Sequence, residues 1–272
     1  MSGRLVVCPT PIGNLEDVTL RVLAALREAD VVACEDTRRT RVLLDRYGVK
    51  ARLLSYHEHN EAARAAELVE RMRQGGDTVA LVSDAGMPLV SDPGYLLVRA
   101  CVAAGLPVEV LPGPSAAITA LVASGLPASE WRFQGFLPRK RAELEAALRE
   151  PGGTLVAFES PRRVPATLAV AAALEPERQV AVCRELTKAH EEVVRASAAE
   201  LAERYSETPP RGEVVLVLAP TARPDAGPEG AALEALRELI DAGAKPRRAA
   251  AVVAELTGGS ANALYRALTT ND

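Results

Sequence analysis

The feature that most limits what this chain can fold into is the alternation of short apolar runs with helix-period segments, from the N-terminus to about residue 220. Strands covered on both faces by crossover helices read as unbroken apolar runs, whereas a half-exposed strand alternates apolar and polar residues. Arg4 to Cys8 is such a run and stops at Pro9. Val18 to Ala29 follows with Val18, Val22, Ala25, Leu26 and Ala29 on one helix face. Val31 to Cys34, Leu53 to Tyr56, Val79 to Ser83 and Val108 to Leu111 are further strands, separated by helical patterns at Glu61 to Gln74 and Gly94 to Ala104. After the turn signals of Ser124-Gly125-Leu126-Pro127, strands are expected at Leu155 to Glu159, Val180 to Arg184 and Val214 to Ala219, with helices at Arg141 to Arg149 and Arg163 to Leu174.

The expectation is an α/β protein with two tandem α/β domains, residues 1–120 and 121–220, each with parallel strands, and a cleft between them. Pro220 to Gly230, with three prolines and no periodicity, reads as a linker. Residues 221–272 then hold that linker and three short helices, at Ala231 to Ala242, Pro246 to Leu256 and Ser260 to Leu268. A helix, a Gly258-Gly259 turn and a helix are compatible with a helix-turn-helix, and equally with a plain three-helix packing unit.

Composition narrows the function classes. At 48% hydrophobic the chain is globular rather than disordered, no stretch approaches the roughly 20 apolar residues of a membrane span, and the first residues lead straight into a strand, so a cytoplasmic protein is expected. Four scattered cysteines (Cys8, Cys34, Cys101, Cys183) form no Cys-x-x-Cys pair and read as core. His57 and His59 have Glu58 beside them but no third ligand at suitable spacing, so no metal is expected. The 32 basic and 36 acidic residues, net −4, argue against general affinity for nucleic acid. Local basic runs at Arg38, Arg39 and Arg41, Arg139 to Arg141, Arg162-Arg163 and Lys245 to Arg248 argue for a polyanion held at one place.

Ligands of open α/β sheets sit outside the carboxyl ends of the strands, so the loops leaving strands are where chemistry is sought. Pro9-Thr10-Pro11-Ile12-Gly13-Asn14-Leu15 is rigid, with Gly13 allowing close backbone approach. It is neither a Gly-x-Gly-x-x-Gly fingerprint nor a P-loop, which disfavours dehydrogenases and NTPases. Ser83-Asp84-Ala85-Gly86-Met87-Pro88 places an aspartate at a strand end among small residues; in Ser91-Asp92-Pro93-Gly94 the aspartate is expected to cap a turn. Pro112-Gly113-Pro114-Ser115-Ala116 leads into a helix whose free N–H groups suit a carboxylate. No Gly-x-Ser-x-Gly elbow supports a hydrolase.

Together with Ala33-Cys34-Glu35-Asp36-Thr37-Arg38, Ser55-Tyr56-His57-Glu58-His59-Asn60-Glu61, Gly135-Phe136-Leu137-Pro138 and Arg184-Glu185-Leu186-Thr187-Lys188, these loops closely resemble the ribosomal RNA small subunit methyltransferase I family of the tetrapyrrole methylase superfamily. The match is collinear over about residues 4 to 219. The resemblance implies S-adenosylmethionine as cofactor and 2′-O-methylation of a cytidine in the decoding region of 16S rRNA, within the 30S subunit, by a homodimer. It implies cofactor contacts at Pro11, at Ser83, Asp84, Ala85 and Met87, at Ser115 and Ala116, and through main chain near Glu159 and Leu186. Met87 stands where that family more often has threonine, and Arg162-Arg163 where Pro-His-Arg is common.

Methyl transfer needs alignment of oxygen, methyl and sulfur, and a path for the hydroxyl proton. Asp36, Glu35 and Lys188 are the candidate base or hydroxyl orienter. Lys188 must be neutral for a base role, or else hold the hydroxyl and a phosphate; Glu35 and Asp36 have the alternative of pairing with Arg38 and Arg39. The rival functions are methylation of a tetrapyrrole carbon or a diphthamide precursor, and a catalytically silent rRNA-binding assembly factor.

Overall fold

The first apolar runs become a five-stranded parallel sheet. In the computed structural model, which describes residues 3–221 and 228–269, the chain runs β1 (Arg4–Val7), α1 (Leu20–Glu28), β2 (Val31–Cys34), α2 (Thr37–Arg46), β3 (Leu53–Ser55), α3 (Glu61–Glu70), β4 (Thr78–Val82), α4 (Tyr95–Ala103) and β5 (Val108–Val110), with strand order β3-β2-β4-β1-β5. Successive side chains of a strand face opposite sides. Leu5, Val7, Val31, Ala33, Val79 and Leu81 accordingly pack into one apolar layer with α3 and α4 residues such as Leu68 and Leu97. Val6, Cys8, Val32, Cys34, Ala80 and Val82 pack into the opposite one with Val22 and Leu26 of α1. Both-sided burial explains why these strands read as unbroken apolar runs.

The second sheet departs from expectation. After α5 (Ala116–Ser124) come β6 (Trp131–Phe136), α6 (Arg141–Arg149), β7 (Thr154–Glu159), α7 (Val164–Leu174), β8 (Gln179–Arg184), β9 (Glu192–Ser197), α8 (Ala198–Tyr205) and β10 (Val214–Leu218). The order is β6-β7-β10-β8-β9, and only β6 and β7 pair in parallel; β10 is antiparallel to β7 and β8, and β8 to β9. One face packs on α6, α7 and α8. The other, carrying Val156, Ala181, Cys183, Val215 and Val217, is covered by Ala117, Ala120 and Leu121 of α5 and by Ile12 from the loop after β1. A boundary between residues 120 and 121 therefore falls inside α5, a helix that follows the first sheet but buries the second. Strands β6 and β9 and helices α2 and α8 were not foreseen. The segment from β9 to α8 is fixed by a capping box, Ser197 with Glu200.

Contacts divide the chain into Met1–Thr221 and Ala222–Asp272. The second unit holds α9 (Pro228–Asp241), α10 (Pro246–Thr257) and α11 (Ala261–Thr269). Leu236, Ala250, Val253 and Leu264 form its core, and Gly258 ends α10 in the left-handed conformation. Of the expected linker, residues 222–227 lie outside the described residues, and Pro228 to Gly230 already belong to α9. Among the described residues, no helix is long and apolar enough to cross a membrane.

All four cysteines are buried, and burial pushes the thiols up, Cys8 to about 12 and Cys101 and Cys183 to about 11. The native protein is expected to leave all four unreacted with a thiol-specific disulfide reagent for as long as it stays folded, and to release four equivalents in denaturant; fast labelling of any native thiol contradicts the packing.

Candidate active site

Four loops converge because backbone and small residues let them touch. Thr10 and Gly86 exchange backbone hydrogen bonds of 2.9 and 3.0 Å, and the Thr10 hydroxyl donates to the Ser83 carbonyl at 3.0 Å, so the loops after β1 and β4 are zipped together. The Asn14 N–H donates to Thr187 Oγ1 at 3.0 Å, joining the loop after β1 to the turn between β8 and β9. Gly13 is open to no ligand here: a Cβ on it would lie 2.5 Å from Lys188 Cγ and 2.9 Å from the Leu186 carbonyl. Its lack of a side chain serves loop-to-loop contact. Thr187 and Glu185 hold positive φ, 67° and 50°, in a turn where the Thr187 N–H donates to the Glu191 carboxylate at 2.6 Å.

Between these loops lies a cavity of about 390 Å3, within the roughly 300–1,000 Å3 range of small-ligand sites. Ala85, Met87, Ser115, Ala116, Glu159 and Leu186, all expected from sequence, line it. Pro11, Ser83 and Asp84 do not. Pro11 is buried beside Ile12, which does line the cavity. Ser83 is 3% exposed and donates to the Gly86 carbonyl at 3.1 Å, shaping the loop from behind. Asp84 accepts from the Asp36 N–H at 3.0 Å and lies 3.5 Å from Arg39, tying the loop after β4 to α2. The Glu159 carboxylate is spent: it accepts from the Ser160 N–H and the Thr167 hydroxyl, both at 2.7 Å, and pairs with Arg163 at 3.4 Å.

Neither Asp36, Glu35 nor Lys188 lines the cavity. Asp36 caps α2, accepting from the Arg38 N–H at 2.8 Å and pairing with its guanidinium at 2.8 Å. Those side-chain and backbone hydrogen bonds from Arg38 hold its carboxyl down at about 2, a poor base at neutral pH. Lys188 bridges Glu185 and Glu213, each at 2.9 Å. Burial draws its pKa down, but the hydrogen bonds to the two glutamates outweigh that and raise it overall, so the ammonium stays charged. Glu35 is raised, chiefly by burial and then by Asp84.

Phe136, Glu213 and Asp92 are among the lining residues that the expected contacts do not include. Phe136 is 63% exposed and meets Phe158 edge to face at 5.6 Å between centroids. Glu213 precedes β10 and holds Lys188. Asp92 faces the cavity, where a turn cap was expected. The cavity wall carries the Asp92 and Glu213 carboxylates, the Glu159 side chain being enclosed, and, among the described residues, no Lys, Arg or His. Such a wall suits a cationic ligand, and the start of α5, where Ser115 makes no side-chain cap, leaves backbone N–H groups for a carboxylate.

The basic runs are less free than sequence suggested. Arg38 pairs with Asp36, Arg39 with Asp84, Lys140 with Glu143, Arg141 with Glu145 and Arg163 with Glu159. Among the described residues of these runs in the first unit, Arg41, Arg139 and Arg162 carry no ion pair. His57 and His59 meet ring to ring at 5.9 Å, and among the described residues no three His, Cys, Asp or Glu side chains are placed to hold a metal ion.

Residues 4–202 match the model of the tetrapyrrole (corrin/porphyrin) methylases. A ribosomal RNA small subunit methyltransferase I from Mesorhizobium japonicum is 47% identical over 270 residues, 97% of this chain and 90% of that protein. This chain belongs to that family. A relative of the same name from Thermotoga maritima is 44% identical over 218 residues, 79% of this chain but 98% of its own length, so that family member has no counterpart to a stretch about the size of the helical tail. Among solved structures, uroporphyrin-III-C-methyltransferase from Thermus thermophilus superposes with TM-score 0.59 at 24% identity over 80% of this chain and 94% of that one. The same protein complexed with S-adenosyl homocysteine gives 0.56 at 23% identity, over 80% and 97%. These likenesses carry the fold.

Proposed function

We propose that the cavity holds S-adenosylmethionine and that the chain methylates the ribose 2′-hydroxyl of a cytidine in the decoding region of 16S rRNA, on the 30S particle. The observation that carries this reading is a cavity wall with the Asp92 and Glu213 carboxylates and, among the described residues, no basic side chain, opening at a helix N-terminus, in a chain whose relatives are named for rRNA methylation. The cofactor supplies an electrophilic methyl carbon on a sulfonium. Main chain at Ala85, Met87, Glu159 and Leu186 and the start of α5 hold and orient it; Pro11, Ser83 and Asp84 fix those loops from outside the cavity. Lys188, charged and paired with Glu213 of the cavity wall, suits holding a phosphate rather than accepting a proton.

Arg41, Arg139 and Arg162 are the first candidates for rRNA phosphates. The exposed pairs can exchange partners as well, because surface ion pairs contribute only about 0–1 kcal/mol. Phe136, an exposed ring at the cavity, suits stacking of an extruded base. Phe136→Ala is expected to raise KM for the RNA acceptor about tenfold, the scale of one lost base–aromatic stack, with cofactor affinity unchanged by calorimetry; an unchanged KM removes Phe136 from the acceptor site.

Exposed Val102, Val110, Ile118 and Val122 lie on edge strand β5 and the helices flanking it, which supports a homodimer joined at that edge. Light scattering tests it against the 28.8 kDa monomer. The reading places the enzyme in the cytoplasm, with its acceptor. Labelled S-adenosylmethionine offered with 30S particles lacking the modification, free 16S rRNA or a uroporphyrinogen tests the activity. Label is expected on RNA; label on the tetrapyrrole, or on none, contradicts it.

A further inference from the structure

Asp92 has no assigned task, yet among the described residues it is the one carboxylate lining the cavity that is not tied to a cation: the enclosed Glu159 pairs with Arg163, and Glu213 with Lys188. The loop that presents it is turned back on itself, with Leu89 and Ser91 at φ of 73° and 65° and Gly94 at 139°. Non-glycine residues held there are strained and persist where surrounding structure demands the geometry. A Cβ on Gly94 would press on Leu81 and Leu89, and one on Gly135 of β6 would lie 3.5 Å from Ser91 Oγ, so the loop is packed against both sheets.

We propose that Asp92 is the catalytic residue that receives the proton of the acceptor hydroxyl. As the hydroxyl oxygen forms its bond to the methyl carbon, the bond from that carbon to sulfur breaks with its pair left on sulfur, and the O–H bond breaks with its proton passing to a carboxylate oxygen of Asp92. The sulfonium and the carboxylate thus both become neutral. This rests on the ribose-methylation reading.

The surroundings tune the group. Burial raises the Asp92 carboxyl to about 6, Glu35 and Asp84 add to the rise, and a hydrogen bond with Ser83 opposes it. Arg39 lies 3.5 Å from Asp84, and Arg39 and His57 both favour the charged form of Glu35, so these groups of opposite or titratable charge face the two acids rather than Asp92 itself. A base of this strength is ionised at neutral pH and still accepts a proton. Because only the carboxylate accepts, the rate rises with pH through about 6. The stability effect has the opposite sign. The folded carboxyl binds its proton more tightly than the unfolded one, so its contribution falls as pH climbs from the unfolded value near 3.8 through about 6.

The test compares wild type, Asp92→Asn and Glu35→Gln. Asp92→Asn is expected to lose about 100-fold or more in kcat, the usual scale of base catalysis, to bind S-adenosyl homocysteine, which lacks the charged sulfonium, within about twofold of wild type by calorimetry, and to melt higher than wild type at pH 8 but not at pH 4. Glu35→Gln is expected to move the acid limb of the rate profile to lower pH. In cofactor-free wild type, one 13C-labelled aspartate carboxyl resonance, missing in Asp92→Asn, is expected to titrate near 6. Wild-type kcat with an intact acid limb in Asp92→Asn overturns the proposal, as does S-adenosyl homocysteine affinity falling in step with kcat or the absence of that resonance. Methyl found on a base rather than on ribose oxygen in the wild-type product refutes instead the reading on which the proposal rests.

Discussion

Glu159→Ala is expected to lose about 3–5 kcal/mol of folding stability, the range for removing one partner from a buried ionic pair, measured by the denaturant midpoint. The Glu159 side chain is fully enclosed and holds three donors at once: the Ser160 N–H, the Thr167 hydroxyl and Arg163. Arg163 in turn donates to the carbonyls of Leu137 and Pro138 at the end of β6. Removing the carboxylate leaves Thr167, 1% exposed, without its acceptor and loosens the ends of β6 and β7 beside the cavity. Cofactor affinity is expected to fall with stability, and Glu159→Gln to restore most of both. A loss below about 1 kcal/mol in the alanine variant, the worth of a surface pair, contradicts this account of the site wall.

Gly13→Ala tests the joint between the two sheets. The added methyl would sit 2.5 Å from Lys188 Cγ, 2.8 Å from Thr187 Oγ1 and 2.9 Å from the Leu186 carbonyl. Overpacking of this kind costs about 1–3 kcal/mol. The relief available is to push the turn after β8 away, which moves Leu186 on the cavity wall and breaks the hydrogen bond from the Asn14 N–H. Cofactor binding at least tenfold weaker is the expected calorimetric result, following from about 1.4 kcal/mol per tenfold change. Unchanged affinity shows that the turn gives way without disturbing the site.

What sequence reading reached, and where it stopped, follows from burial. Strands β1, β2, β4, β7, β8 and β10 were legible because they are covered on both faces. That same pattern hid the direction of the second sheet: α5 and Ile12 cover its far face, so an antiparallel core carries the unbroken apolar runs of a parallel one. Strands β6 and β9 stand at the edges, where Arg132, Gln134 and Arg195 dilute the signal. Helix α2 was masked by its own charges, with Arg38, Arg39 and Arg41 in its first turns and only Thr40, Leu43 and Leu44 buried.

The site shows the same division. Loops shaped by proline, glycine and small residues pointed to Ala85, Ser115 and Ala116 because backbone restriction is a local property. Asp92 was hidden by its neighbours: before Pro93-Gly94 an aspartate has a ready local role in a turn, and only the left-handed Ser91 and Leu89 bring it round to the cavity. The charged partners of Asp36 and Lys188 likewise depend on which side chains the fold brings near.

The central claim is transfer of one methyl group to a ribose oxygen of cytidine in small-subunit RNA, and it is tested most directly by the identity of the product. Particles lacking the modification, incubated with the protein and S-adenosylmethionine labelled in its methyl group, are digested to nucleosides and separated with mass detection. The account predicts the label in 2′-O-methylcytidine, at one position of 16S rRNA. Label on a base carbon or nitrogen, on another nucleoside, or absent from the RNA contradicts it.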